Sequence, residues 1–207
     1  YLQDGILLAG TLEDGVLRSA DRARTWVSWN FGLLDLGVMC LAISPHFAQD
    51  ETVYAGTESG IFRSTNGGRA WREVSLPGEY DPVLSLALSG LGAAGDDEKG
   101  SIVAGTESQG LYFSSDGGQT WRQERDERLE NIQSILLSPQ YPQDPALLVV
   151  ANGQVLLTRD AGASWLPLWE ESTLERSAAV VLARRGLAPG KPAWLGLANG
   201  DALPVEI

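Results

Sequence analysis

The sequence predicts an all-β fold made of repeated four-stranded units, and two recurring patterns carry this prediction. The first is an eight-residue turn motif (hydroxyl residue, any residue, Asp or Asn, any residue, Gly, two variable residues, Trp), found at 64–71, 114–121 and 158–165 and more loosely at 19–26. The second is Ala-Gly-Thr, which begins at 9, 55 and 104 and has weaker copies at 150–152 and 197–199. Because the second pattern returns every 46 to 49 residues, each unit has the length of one four-stranded blade of a β-propeller.

The strands are expected in the short apolar runs on either side of each turn motif, which together predict a β-hairpin. In the second unit we expect strands at Val38–Ser44, Thr52–Gly56, Gly60–Ser64 and Trp71–Val74, and no segment of the chain has a convincing helical period. Complete units are predicted at 37–76, 82–125 and 131–169, with partial units at 1–30 and 177–207. About four to five blades would therefore form one domain, or a piece of one, over residues 1–207.

Ordinary turn chemistry explains the residue types of the turn motif. Its Asp or Asn can accept hydrogen bonds from N–H groups of its own turn, its Gly suits a positive φ, and its Trp offers an apolar face to a neighbouring unit. The first copy has Ala23 in place of the glycine, so we expect a looser or differently shaped turn there. We interpret the motif as structural rather than as a metal or catalytic site, and it comprises Ser19, Asp21, Trp26, Ser64, Asn66, Gly68, Trp71, Ser114, Asp116, Gly118, Trp121, Thr158, Asp160, Gly162 and Trp165.

The turn motif resembles the Asp-box, or BNR, repeat of sialidases, sortilin-type receptors, xyloglucan hydrolases and photosystem II assembly factors. The resemblance does not single out one of these families. It implies a β-propeller whose motif turns lie away from the central channel, usually with seven blades, of which this chain would be a piece. It also favours a location outside the cytoplasm or at the cell surface.

Composition excludes several classes of partner. The chain has 27 acidic and 15 basic residues and a formal net charge of −12, which disfavours nucleic acid and anionic membrane surfaces. Its apolar runs are too short for a membrane-spanning helix. The lone cysteine, Cys40, excludes an internal disulfide and a cysteine-cluster metal site, and its apolar neighbours predict burial.

The candidate binding face consists of the turns between second and third strands, which should lie opposite the turn motifs around one channel mouth. These turns contribute Glu13, Asp14, Glu58, Glu107, Asn152, Asn199 and Asp201. Such a face would attract a basic partner; a protein or glycan partner is expected, no cofactor, and Ca²⁺ only as a weaker possibility. A solvated acidic rim without any ligand is the alternative. A further acidic loop is predicted at 90–100.

Catalytic residues cannot be assigned from the sequence. Resemblance to sialidases would imply an arginine triad and a tyrosine nucleophile, but Arg18 and Arg63 occupy equivalent repeat positions, which indicates periodicity rather than a substrate clamp. The leading hypothesis is a non-catalytic propeller module that binds a protein or glycan. The alternatives are a fragment of a glycoside hydrolase, sialidase-like or xyloglucanase-like, and a purely structural segment of a multi-propeller surface protein.

Overall fold

The computed structural model describes residues 5–90, 100–169, 177–183 and 186–207. These residues form five antiparallel sheets, one for each sequence unit, and the sheets follow one another in chain order. The innermost strands of successive sheets lie side by side, so the sheets are the blades of a β-propeller, which confirms the predicted fold class. The acidic loop expected at 90–100 lies, except for its two end residues, outside the described residues.

The described part of the chain has three four-stranded blades between two three-stranded ones. Blade 1 contains β1 (Leu7–Gly10), β2 (Val16–Ser19) and β3 (Val27–Ser28). Blade 2 contains β4 (Val38–Ile43), β5 (Val53–Thr57), β6 (Gly60–Ser64) and β7 (Arg72–Val74). Blade 3 contains β8 (Val83–Leu88), β9 (Ile102–Thr106), β10 (Leu111–Ser114) and β11 (Arg122–Glu124). Blade 4 contains β12 (Ile132–Leu137), β13 (Leu147–Ala151), β14 (Gln154–Thr158) and β15 (Leu166–Trp169). Blade 5 contains β16 (Ala178–Leu182), β17 (Pro192–Leu197) and β18 (Ala202–Glu206).

One helical turn, α1 (Phe47–Asp50), lies between β4 and β5 and is the one helix among the described residues. The Ser44 hydroxyl donates to Asp50 Oδ2 over 2.6 Å, and Asp50 Oδ1 accepts from the N–H of Thr52 over 2.8 Å. These bonds close the connection from β4 to β5 around the buried ring of Phe47. Four residues are too few to produce a helical period, which is why the sequence pattern missed them. Within the described ranges no helix has the length and apolar character to cross a membrane.

The hydrophobic core lies between neighbouring blades. We call the face of a blade towards the next blade its trailing face and the opposite one its leading face. Between blades 1 and 2, for example, Val16 of the trailing face packs in one cluster with Phe62 and Trp71 of blade 2. Similar clusters join blades 2 and 3, blades 3 and 4, and blades 4 and 5. Each apolar sheet face is therefore covered by its neighbour in the chain.

The glycine of Ala-Gly-Thr marks a close approach between successive blades. A Cβ on Gly105 would lie 2.5 Å from Cγ2 of Ile132, and a Cβ on Gly56 would lie 2.7 Å from the carbonyl oxygen of Val83. Ile132 and Val83 are the first residues of the next innermost strand. Glycine is required because a side chain would collide with the following blade.

The strand register corrects the alignment of the two weaker copies, by one residue in blade 4 and by two in blade 5. The positions equivalent to Gly105 are those that pair with the third residue of the innermost strand, and the pairs are Gly56 with Cys40, Gly105 with Ser85, Val150 with Ser134 and Gly196 with Val180. In blade 4 the sizes are exchanged, because Val150 replaces the glycine while the next innermost strand begins with the small Ala178. The expected equivalents, Ala151 and Ala198, each lie one position or more beyond.

The innermost strands of blades 2 to 5 each have a bulge after the first residue, and in blades 2 and 3 the third residue contacts the first residue of the next innermost strand. The Ser85 hydroxyl donates to the carbonyl of Ile132 over 2.7 Å, and the Cys40 thiol approaches the carbonyl of Val83 at 3.4 Å. Burial raises the pKa of the Cys40 thiol to about 12. Cys40 therefore occupies a structural position, where the thiolate does not form at neutral pH.

Candidate binding face

The turn motifs hold themselves together with side-chain to backbone hydrogen bonds. In blade 3 the Ser114 hydroxyl donates to Asp116 Oδ1 and accepts from the N–H of Gly118, both over 2.8 Å. Asp116 Oδ1 also accepts from the N–H of Thr120 over 2.9 Å. Desolvation raises the pKa of Asp116, but hydrogen bonds from Thr120, Ser114 and Gln119 outweigh it and lower the pKa to about 2. The same bonding recurs around Asn66 and Asp160.

The first copy of the motif keeps the same geometry, so the expected looser turn is wrong. The N–H of Ala23 donates to the Ser19 hydroxyl over 2.8 Å, and the N–H of Thr25 donates to Asp21 Oδ1 over 2.9 Å. Ala23 adopts φ = 67°, a left-handed conformation that costs a non-glycine residue about 1–2 kcal/mol. In blade 2 a Cβ on Gly68 would lie only 3.1 Å from Leu8 of the preceding blade. No described sheet precedes blade 1, so the methyl group of Ala23 has room.

The turn motifs also join neighbouring blades, a role that the sequence did not reveal. The carbonyl after the motif Asp or Asn accepts a hydrogen bond from the blade before it. The donors and acceptors are Arg18 Nε to Gly67 (3.2 Å), the Tyr54 hydroxyl to Gly117 (3.0 Å) and Arg122 Nη2 to Ala161 (2.7 Å). All three donors lie on one cross-strand row, but on strands β2, β5 and β11, which match the third, second and fourth strands of a four-stranded blade respectively. No single sequence position therefore signals the contact, and Arg18 has a structural partner rather than a substrate-facing one.

The motif tryptophans pack towards the preceding blade. Trp71 is buried in the cluster between blades 1 and 2 and its indole N–H donates to the carbonyl of Trp29 over 2.9 Å. Trp165 lies in the cluster with Phe113 of blade 3, and Trp121 packs against the cluster that contains Tyr54 of blade 2. Trp26 of blade 1 is exposed. The tryptophan is thus covered where a described blade precedes it and exposed where none does.

The turns joining β1 to β2, β5 to β6, β9 to β10, β13 to β14 and β17 to β18 lie at the strand ends opposite the turn motifs. We call this surface, with the connectors between blades that reach it, the mouth face. It holds every residue of the candidate binding face: Glu13, Asp14, Glu58, Glu107, Asn152, Asn199 and Asp201. Glu13, Glu58 and Glu107 belong to three different blades. The described residues bring no three acidic, histidine or cysteine side chains together as metal ligands, and Ca²⁺ binding stays a prediction.

Two aspartates in the connectors between blades form hydrogen bonds with turns of the mouth face. Asp35, between blades 1 and 2, accepts hydrogen bonds from the N–H groups of Ser59 (2.7 Å) and Gly37 (2.9 Å). Desolvation raises the pKa of Asp35, but these hydrogen bonds outweigh it and lower the pKa. Asp81, between blades 2 and 3, accepts from the N–H groups of Ser108 (2.7 Å) and Gln109 (3.0 Å). Each aspartate therefore ties its connector to the turn of the next blade.

Several large apolar side chains are exposed on the mouth face, among them Leu36 at 40% in the first connector, and sequence reasoning missed them. Leu12, in the turn between β1 and β2, is 66% exposed, Leu34 in the first connector is 81% exposed, and Tyr80 in the second connector is 80% exposed. The N–H of Gly15 donates to the carbonyl of Leu36 over 3.1 Å, which brings the Leu12 turn next to the first connector. Acidic and apolar groups are thus interspersed on this face.

Two grooves cross the mouth face at successive blade boundaries. The groove between blades 2 and 3 has a volume of about 200 Å³ and is lined by Ser59, Gly60, Glu73, Val74, Ser75, Leu76, Gly78, Glu79, Tyr80, Asp81, Thr106 and Tyr112. The groove between blades 3 and 4 has a volume of about 250 Å³ and is lined by Ser108, Gly110, Arg125, Asp126, Glu127, Leu129 and Glu130.

Comparison with known proteins supports the fold and leaves the family open. No family model matches the chain. A probable oligoxyloglucan-reducing end-specific xyloglucanase from Neosartorya fischeri is 31% identical over 85 residues, which are 38% of this chain and 10% of that protein. The chain thus spans about a tenth of the length of this curated relative.

Solved β-propeller structures match nearly the whole chain at low sequence identity. An ancestral GH74 enzyme is 15% identical, with a TM-score of 0.69 over 98% of this chain and 30% of its own. The extracellular domain of a one-component system from B. thetaiotaomicron is 17% identical, with a TM-score of 0.70 over 99% of this chain and 26% of its own. YCF48 bound to D1 peptide is 15% identical, with a TM-score of 0.65 over 98% of this chain and 60% of its own. These matches establish a fold that enzymes and binding proteins share.

Proposed function

We propose that this chain is a non-catalytic β-propeller module that binds a protein partner through its mouth face. The observation that carries the proposal is the exposure of Leu12, Leu34 and Tyr80 among the acidic turns of that face. Large exposed apolar side chains bordered by polar ones are typical of protein-binding surfaces. The acidic turns would speed association with a basic partner, and the apolar side chains would supply affinity after contact.

The comparisons support the coarser part of this proposal. The YCF48 structure contains a bound peptide, so a propeller of similar fold can act as a binding protein. We also propose that the turn motifs are Asp boxes and that the protein acts outside the cytoplasm, as the matched extracellular domain does. A glycan is the second class of partner that such a face could hold.

The proposal is tested by affinity capture from an extract of the source cells with matched surface variants. Leu34→Asp and Tyr80→Asp change the mouth face, while Leu166→Asp changes an exposed apolar residue (60%) on the outer strand β15. We expect the wild type and Leu166→Asp to retain the same partner and both mouth variants to lose it. Equal retention by all four proteins contradicts the proposal, and selective binding to a glycan array would replace the protein partner by a glycan.

A fragment of a xyloglucan-active hydrolase is the second candidate, favoured by the match to the fungal xyloglucanase. A glycosidase needs one carboxyl whose pKa is raised so that it can act as an acid. Five carboxyls of this chain have lowered pKa values instead: Asp21, Asp35, Asp116, Asp126 and Asp160. The test is incubation with xyloglucan oligosaccharides and analysis of the products by mass spectrometry. Release of shorter oligosaccharides would reject the non-catalytic proposal.

A further inference from the structure

The two grooves of the mouth face occupy equivalent positions in successive blades. Strand β7 pairs with β6 as β11 pairs with β10, and the residue after each outer strand lines its groove: Ser75 after β7 and Arg125 after β11. The connector that follows forms the outer wall in both cases. The grooves can therefore be compared position by position.

Two arginines of the chain itself lie at the groove between blades 3 and 4. Arg125 lines it and donates to the side-chain oxygen of Gln109. Arg128, in the same connector, pairs with Asp126 over 2.7 Å and donates to the carbonyl of Trp165 over 3.3 Å. The hydrogen bonds that Arg128 donates to the Asp126 carboxylate lower the pKa of Asp126 to about 2. Guanidinium groups thus already satisfy acidic and polar acceptors at this boundary.

The groove between blades 2 and 3 has the same position without a basic residue in its lining. Ser75 takes the place of Arg125, and the acidic lining residues are Glu73, Glu79 and Asp81. Asp81 uses both carboxylate oxygens to hold Ser108 and its neighbour. Glu79 is the other acidic residue whose carboxylate can border the groove. Glu73 pairs with Phe62, which packs towards blade 1, so the side chain of Glu73 lies on the opposite face of β7.

The remaining lining suits a long side chain with a cationic end. Val74, Leu76 and the buried ring of Tyr112 supply apolar surface, and the Tyr112 hydroxyl is fixed by donation to the carbonyl of Pro77 over 3.1 Å. Tyr80 borders the groove with an exposed ring. An apolar wall accommodates the methylene stem of an arginine, an exposed aromatic ring stacks with guanidinium, and carboxylates accept its hydrogen bonds.

We propose that the groove between blades 2 and 3 binds an arginine side chain from an extended basic segment of the protein partner. This inference rests on the proposed function, because it specifies what the mouth face recognises. The partner's arginine supplies at this boundary the charge that Arg125 and Arg128 supply at the next one. Arginine is preferred over lysine because its planar group can stack on Tyr80 while it donates two hydrogen bonds to the carboxylate of Glu79.

The test is an NMR titration of the isotope-labelled full chain with N-acetyl-arginine amide, and with N-acetyl-citrulline amide as the neutral isostere. We expect saturable shifts of amide signals at Gly60, Gly78 and Tyr80 with the arginine probe only. The variant Glu79→Gln should weaken binding about tenfold, since charge-assisted hydrogen bonds are lost. The matched control Glu127→Gln alters the other groove and should bind like the wild type.

Equal shifts with citrulline, no saturation, or equal weakening in Glu79→Gln and Glu127→Gln would overturn the inference. Its failure is distinguishable from failure of the proposed function. If Leu34→Asp still abolishes partner capture while the arginine probe does not bind, the mouth face binds a protein without an arginine in this groove. If neither experiment depends on the mouth face, the proposed function fails as well.

Discussion

The trailing faces of blades 2 and 5 present the same sheet positions in opposite surroundings. The row Ala42, Tyr54 and Arg63 of blade 2 corresponds to Leu182, Trp194 and Pro204 of blade 5. Tyr54 is 0% exposed because blade 3 covers it, whereas Trp194 is 49% exposed. Both innermost strands have the same bulge, and no described blade follows blade 5, so we attribute the difference to the neighbouring blade. Burial in this fold is a property of blade pairs, and stability should be a sum of contributions from successive boundaries.

The largest effect is expected when the two aromatic residues, Tyr54 and Trp194, are each replaced by alanine. Tyr54→Ala should lower the free energy of unfolding by about 3–5 kcal/mol, because it leaves a cavity between blades 2 and 3 and removes the hydrogen bond to Gly117. Trp194→Ala should change it by no more than about 0.5 kcal/mol, as surface substitutions do. Urea denaturation followed by circular dichroism measures both. A large loss for Trp194→Ala would show that another surface covers blade 5.

The second largest effect concerns the pair of residues that meet at a blade boundary, where one is large and the other small. Gly105→Val should cost about 1–3 kcal/mol or more through overpacking against Ile132. Adding Ile132→Ala reproduces the large and small order of Val150 and Ala178, so the double variant should lose less than the two single variants together. Denaturation of the three variants gives the coupling energy. Strict additivity would mean that the boundary between blades 4 and 5 is packed on a different principle.

A smaller effect concerns the motif turn that no described blade precedes. Ala23→Gly should raise the free energy of unfolding by about 1 kcal/mol, because glycine removes the cost of the positive φ. The matched change Gly68→Ala should lower it, since φ is 82° there and the new methyl would lie 3.1 Å from Leu8 of the preceding blade. Thermal unfolding measures both shifts. Stabilisation by Gly68→Ala would contradict the role assigned to the preceding blade.

The smallest effect is expected at acidic pH. The motif turn of blade 1, which no described blade precedes, and that of blade 3, which blade 2 precedes, should lose stability over the same pH range. The N–H and hydroxyl of Thr25 and the hydroxyl of Ser19 lower the pKa of Asp21 to about 2, the value also reached by Asp116. Both values lie below the usual range for Asp, so the stabilising effect of each carboxylate is complete above a pH of about 4 and is lost as the pH falls towards 2.

NMR titration of the aspartate carboxyl carbons checks this expectation. Asn66 provides an internal control, because it holds the same position in the second turn and does not titrate. A pKa of Asp21 near the usual value, with Asp116 still at about 2, would show that the turn needs the preceding blade to form its hydrogen bonds.

Most of the fold could be predicted from the sequence because each blade repeats the same local chemistry. The turn motif fixes the hairpin between third and fourth strands, and the spacing fixes the number of strands in a unit. The register of Val150 escaped prediction because its partner, Ala178, belongs to the next blade. Only a pairing across the blade boundary shows why glycine is replaced there.

The candidate site was harder to predict than the fold. Strand order alone predicts that the acidic turns of separate blades lie at one end of the strands. Ligand binding by these turns is still a prediction. Leu34 and Tyr80 were missed because an apolar residue in a connector is normally taken as part of the core. The contrast between Ser75 and Arg125 could not be recognised before the strand pairs showed that the two positions are equivalent.

The hydrogen bond from each blade to the next turn motif has an evolutionary consequence. Its acceptor is a main-chain carbonyl, which every amino acid provides, and its donor moves among three strands of one row. Substitutions can therefore accumulate at every site involved while the junction itself survives. Such tolerance gives a physical reason why proteins sharing about one residue in six with this chain still superpose on almost all of it.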